Sequence, residues 1–169
     1  MKKLIFSLYL IIGISISVTA QGNESLLRFS FGGGLFFTSG SMDTGGSADF
    51  AFLIYQKNTF DVRNHFVFRG ANFLDGGIMM ITEKISFGGM VTGDWRSYGY
   101  IEGGIGATAN KTKGFFEPPF TYSIGGGGGT DLFLTETMSI YFEAGGFFII
   151  TNGVWNGGSI FQIGWRSWF

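Results

Sequence analysis

Cysteine is absent from the 169-residue chain. That excludes a disulfide frame, a thiolate metal site and a lipid-modified N-terminal cysteine. Proline is nearly absent too, with 2 residues, and there is a single histidine, His65. One histidine among scattered carboxylates makes a poor metal site, so no metal and no cofactor is expected. The formal net charge is −1, which leaves no basic excess for nucleic acid. Beyond residue 20 no apolar run reaches eighteen residues, so no membrane-spanning helix is expected there. Helix start and stop signals are missing as well.

What is present divides at residue 20. Lys2 and Lys3 form a positive start, residues 4–18 are apolar, and Val18, Thr19 and Ala20 put short side chains ahead of Gln21. This predicts a secretory signal peptide over residues 1–20, in preference to an uncleaved anchor, for which the run is short and weakly flanked. Residues 21–169 then form one domain. Removing Lys2 and Lys3 from the 11 basic residues leaves 9 against 12 acidic ones. The 30 glycines come mixed with 21 phenylalanines, a composition that disordered chains lack.

Read at period two, residues 21–169 break into eight segments: 26–37, 48–55, 60–73, 77–91, 96–110, 120–134, 138–151 and 159–169. Turn-formers separate them. Along each segment one face collects the large apolar side chains. Leu27, Phe29, Phe31, Leu35 and Phe37 oppose Arg28, Ser30, Gly32 and Gly34; Phe50, Phe52 and Ile54 oppose Asp49, Ala51 and Tyr55. A soluble sandwich would turn the apolar face inward and a membrane barrel would turn it outward. Volume separates the two, because an eight-stranded interior is only just wide enough for side chains and phenylalanines from every strand would overfill it. The fold class expected is therefore all-β: an eight-stranded, antiparallel, up-and-down transmembrane β-barrel. Long and short connections nearly alternate, as when periplasmic turns face one way and external loops the other.

Closure requires the last strand to pair with the first, because the bilayer offers no water to an open edge. The terminal "WRSWF" accordingly places Phe161, Ile163, Trp165 and Phe169 on one face. This end resembles the C-terminal signature of bacterial outer-membrane barrels, although Ser167 stands where an aromatic is common. The stretch "GGGGGTDLFLTETMSIYFEAGG" at 125–146 resembles the sixth and seventh strands of the small OmpA/OmpX-like family, with its Gly-rich strand, short turn and inward glutamate. The resemblance implies a Gram-negative outer-membrane location, a monomer, and insertion by the barrel assembly machinery through Phe161, Ile163, Trp165 and Phe169.

On this register Arg28, Asp49, Arg63, His65, Arg69, Glu102, Asp131, Glu143 and Arg166 point into the lumen, with Lys84 added when the fourth segment is read from its periplasmic end. Five cations against four carboxylates suggest an ion-paired, closed interior and not a biased pore lining. The fourth segment reads poorly: facing Ile85, Phe87 and Val91 to lipid also faces Glu83 there. Either Glu83 sits near the outer interface or a bulge falls at 82–84. The run Gly125–Gly129 lacks a following Gly-Lys-Ser/Thr helix, so it reads as room for neighbouring side chains and not as a phosphate loop. Outward glycines such as Gly33, Gly103, Gly126 and Gly128 could also form a shallow lipid-side groove. Trp95, Tyr98, Tyr100, Trp165, Trp168 and Phe169 are expected in a periplasmic aromatic girdle, and Phe120, Tyr122, Phe147 and Trp155 in an outer one.

No serine lies two places from His65 on its own face, so the sequence reading expects no enzyme. The external loops are expected at 38–47, 74–77, 112–119 and 152–158, with Lys113, Phe115, Phe116 and Trp155 as candidate contacts for a host or cell-surface ligand. The function expected is a closed outer-membrane barrel with a structural or adhesin-like role, the alternative being a small gated pore.

Overall fold

The computed structural model describes residues 29–39, 44–73, 76–110 and 120–169. The signal-peptide segment 1–20 and Arg28 lie outside these residues. Eight strands run in chain order: β1 (Phe29–Thr38), β2 (Thr44–Lys57), β3 (Phe60–Phe73), β4 (Gly76–Thr92), β5 (Trp95–Asn110), β6 (Phe120–Thr135), β7 (Met138–Thr151) and β8 (Val154–Trp168). Each pairs antiparallel with its sequence neighbour, and β8 pairs with β1 to close the barrel. One end of that seam is tied twice: the Phe169 amide donates to the Phe29 carbonyl and the Phe29 amide to the Phe169 carbonyl.

Cross-strand partners followed once round the wall from Phe29 arrive at Ser159, whose carbonyl accepts from the Ser39 amide. The rows thus climb from residue 29 to residue 39 of the first strand in one circuit. Such a stagger tilts the strands and fixes the bore of an eight-stranded barrel. Two-residue turns at 58–59, 93–94 and 136–137 mark one end, here the lower, together with the ends of β1 and β8.

The wall is polar inside and apolar outside. Phe31, Leu35, Phe68, Ile101, Ile124 and Phe148 are each close to half exposed on the exterior, whereas Asp49, Arg63, His65, Lys84, Asp131 and Arg166 are buried in the lumen. Water would penalise this distribution and acyl chains stabilise it. The barrel is a membrane-spanning one.

Four details correct the sequence reading. Tyr55 points outward, away from the Asp49 face, because a bulge between Leu53 and Tyr55 shifts the alternation. β4 runs unbroken past Thr82, Glu83 and Lys84, so no bulge falls at 82–84; its irregularity lies between Met90 and Thr92. The 152–158 loop shrinks to the turn Asn152–Gly153, both at positive φ; an Asn-Gly pair favours that tight hairpin geometry, and Trp155 becomes a strand residue. Lastly, Tyr98, Tyr100 and Trp168 are buried in the lumen and not in a girdle, and Phe147 packs against the interior cluster. Their alternation with Glu102, Arg166 and Glu143 requires it.

Candidate functional site

The lumen is the candidate site, and it is built in tiers. At the lower end Asp61 takes a hydrogen bond from Arg96 Nε at 2.9 Å and lies 3.4 Å from Arg63 Nε. The Arg63 guanidinium stacks over the Trp168 ring at 4.5 Å, and Arg96 over Tyr98 at 4.5 Å. Stacking of this kind suits the planar guanidinium and lowers the cost of burying it. Below this tier an open cavity of about 490 Å³ is lined by Asp61, Arg63, Arg96, Trp168 and the turn residues Asp94 and Glu136, among others.

The middle tier centres on Arg166. Its Nη1 donates to Asp131 Oδ1 at 2.6 Å and to Tyr98 Oη at 2.9 Å. Its Nη2 donates to Asp49 Oδ2 at 2.8 Å and to Glu143 Oε1 at 2.9 Å. Tyr141 supports the same guanidinium from its ring face at 4.0 Å. Arg96 Nη1 reaches Asp131 Oδ2 at 3.1 Å, which joins the lower and middle tiers. Lys84 Nζ donates to Glu143 Oε1 at 2.7 Å and lies 3.9 Å from Asp49. Higher up, Arg69 and Glu102 form a bidentate pair, both bonds at 2.9 Å.

Among the described residues the interior therefore holds five cations (Arg63, Arg69, Lys84, Arg96 and Arg166) and five carboxylates (Asp49, Asp61, Glu102, Asp131 and Glu143). Every carboxylate has a cationic partner within ion-pair reach. That matters because an uncompensated buried charge costs several kcal/mol. Asp61 and Arg96 were missed in the sequence, although both share the alternation of residues already placed inward, Arg63 and Glu102. Glycines make room for this chemistry: a Cβ at Gly129 would stand 2.8 Å from Tyr98 Cζ, and one at Gly164 2.6 Å from Tyr141 Cε1.

Above the charged tiers the lumen changes character. Phe36, Ala71, Ile78, Met80, Ile149 and Ile160 form a buried apolar cluster, with Phe147 packed against it. No sequence reasoning placed this plug, because its members lie on the face expected to be polar. Phe161, Trp165 and Phe169 are exposed on the outer wall, and Ile163 is partly buried there. Trp155 is also exposed on the wall; Lys113, Phe115 and Phe116 lie outside the described residues.

His65 brings a further correction. Its Nδ1 lies 3.1 Å from Asp49 Oδ1 and its Nε2 2.9 Å from Ser86 Oγ. The serine beside His65 comes from the neighbouring strand β4 and not from its own, because side chains on adjacent strands meet across the sheet. All three groups are buried.

No protein-family profile and no curated protein matches the sequence. Solved structures do match the fold. Neisserial surface protein A aligns with a TM-score of 0.66 at 12% identity, covering 86% of this chain and 100% of that one. Ail, the attachment invasion locus protein of Yersinia pestis, aligns with a TM-score of 0.56 at 12% identity, with coverage of 86% and 100%. The outer-membrane enzyme PagL aligns with a TM-score of 0.51 at 8% identity, with coverage of 82% and 98%. An enzyme on this fold overturns the expectation that the chain is not one: the barrel architecture does not exclude catalysis. At these identities the likeness is one of architecture, and the chain has the fold of the small eight-stranded outer-membrane barrels.

Proposed function

We propose that this chain is an integral protein of a bacterial outer membrane, with a sealed lumen, acting through the parts it presents outside the cell in a structural or surface-interaction role. The observation that carries this reading is the balanced set of five cations and five carboxylates that, among the described residues, fills the barrel beneath an apolar plug. A bore occupied in this way leaves the loops and the outer wall as the surfaces that can meet a partner. Residues 1–20 act as the export signal, and the barrel assembly machinery engages Phe161, Ile163, Trp165 and Phe169 during insertion. The segment 112–119, with Lys113, Phe115 and Phe116, is the loop best suited to a cell-surface ligand, joined at the upper end by Trp155.

The test is deletion of residues 112–118 in cells that display the protein, read as binding of those cells to host cells or matrix. Loss of binding, with heat-modifiable gel mobility of the barrel intact, is the expected result. Unchanged binding overturns the assignment of the interaction to this loop.

A further inference from the structure

The seal leaves a recess open at the lower end of the barrel. This cavity holds about 490 Å³, within the range of about 300–1,000 Å³ usual for small-molecule sites. The short turns at 93–94 and 136–137 border it, and in outer-membrane barrels such turns face the periplasm. Its charges are sorted by depth.

At the floor stand Arg63 and Arg96, 2% and 1% exposed, bridged by Asp61. Two cations of the lining thus share one of its carboxylates. Asp131, the other carboxylate that Arg96 reaches, is fully buried above the floor and is shared with Arg166. Each floor guanidinium is steadied by an aromatic ring, Trp168 under Arg63 and Tyr98 under Arg96. At the mouth stand Asp94 and Glu136, both exposed and both on turns. The turns are pinned to the wall: the Phe133 amide donates to the Asp94 carbonyl at 2.8 Å, and the Trp168 amide to the Thr137 carbonyl at 2.9 Å. Between floor and mouth the lining includes Met90 and the rings of Phe133 and Trp168, whose centroids lie 5.3 Å apart. The indole is fixed by the bond from its Nε1 to Ser139 Oγ at 2.8 Å.

We propose that this cavity binds a short zwitterionic peptide from the periplasm. Its carboxylate meets Arg63 and Arg96, an apolar side chain lies on Phe133 and Trp168, and its ammonium end faces Asp94 and Glu136. The charge order selects the ligand. A simple anion is repelled by the mouth, and a simple cation is repelled by the floor. A zwitterion satisfies both when its negative end enters first. In a free amino acid the two charges sit on one carbon, whereas a dipeptide sets them at opposite ends of an extended backbone of about 7 Å. Planar guanidiniums take a carboxylate through paired hydrogen bonds. The lining is held by its own bonds before a ligand arrives, so little ordering is left to oppose binding.

The test is calorimetric titration of the purified, refolded barrel with the dipeptide alanylphenylalanine at low ionic strength, where exposed charges are least screened. Saturable binding is expected. Amidating its carboxylate should weaken binding about tenfold or more, the scale of a charged hydrogen bond in a buried setting. Acetylating its amine should weaken binding about fivefold, because the mouth carboxylates are exposed. Asp94→Asn combined with Glu136→Gln should lower affinity for the free dipeptide to that of the acetylated one, and should leave the acetylated one unchanged. Both substitutions lie on exposed turns, outside the ion-paired tiers, and heat-modifiable mobility confirms that the variant folds. Absence of saturable binding overturns the proposal. Equal binding of the doubly blocked dipeptide also overturns it, since that result reports apolar adsorption alone. So does a mouth variant that binds the free dipeptide as the wild type does.

Discussion

The lower and upper parts of the lumen do the same job by opposite means. Below, Arg166 gathers Asp49, Asp131, Glu143 and Tyr98 into directional bonds, and Arg96 extends the set to Asp61. Above, Phe36, Ile78, Met80, Ile149 and Ile160 fill the bore by contact alone. The charged part depends on stoichiometry, because removing one member strands another, buried and without its counter-charge. The apolar part depends on volume, and its losses are those of a cavity. A barrel whose outer face must stay apolar has only its interior in which to place polar side chains. Ion pairing is how this chain places so many of them there.

The comparison can be broken most severely at its hub. Arg166→Ala should cost about 3–5 kcal/mol, the range for breaking a buried ion pair, read as a fall in the urea midpoint of the heat-modifiable form, without a leak while the apolar plug above still fills the bore. Phe36→Ala should cost about 3 kcal/mol through the cavity it leaves without any leak, since the charged tiers beneath still close the bore. Arg69→Met combined with Glu102→Met converts the uppermost ion pair into an extension of the plug and should fall within about 1 kcal/mol of wild type. Arg69→Met alone should be clearly less stable than that double variant in the same unfolding assay. A double variant as damaged as the single one would show that the pair stabilises more than a well-packed apolar replacement does.

Much of the architecture was legible because alternation is a local property. The inward positions of Asp49, Arg63, Arg69, Glu102, Glu143 and Arg166 follow from counting by twos along each strand. What failed had physical causes that counting does not capture. The bulge after Leu53 turned Tyr55 outward. Glu83 made the fourth segment look irregular, yet the strand accepts the carboxyl on its outer face by giving it Asn64. Chemical type assigns Tyr98, Tyr100 and Trp168 to a girdle, but their alternation with Glu102 and Arg166 places them inside; Gly129 supplies space beside Tyr98, and Gly127 and Gly145 beside Tyr100. The Ser86–His65–Asp49 chain was invisible for a different reason. It joins β2, β3 and β4, and nothing in a single strand reveals which side chains meet across a row.

Conductance of the purified, refolded protein in planar bilayers tests the sealed lumen most directly. The account predicts no steady current for the wild type and an ohmic leak only when Arg166→Ala, in the charged tiers, is combined with Phe36→Ala, in the plug. A steady, reproducible single-channel conductance from the wild type would contradict it and would favour a small pore.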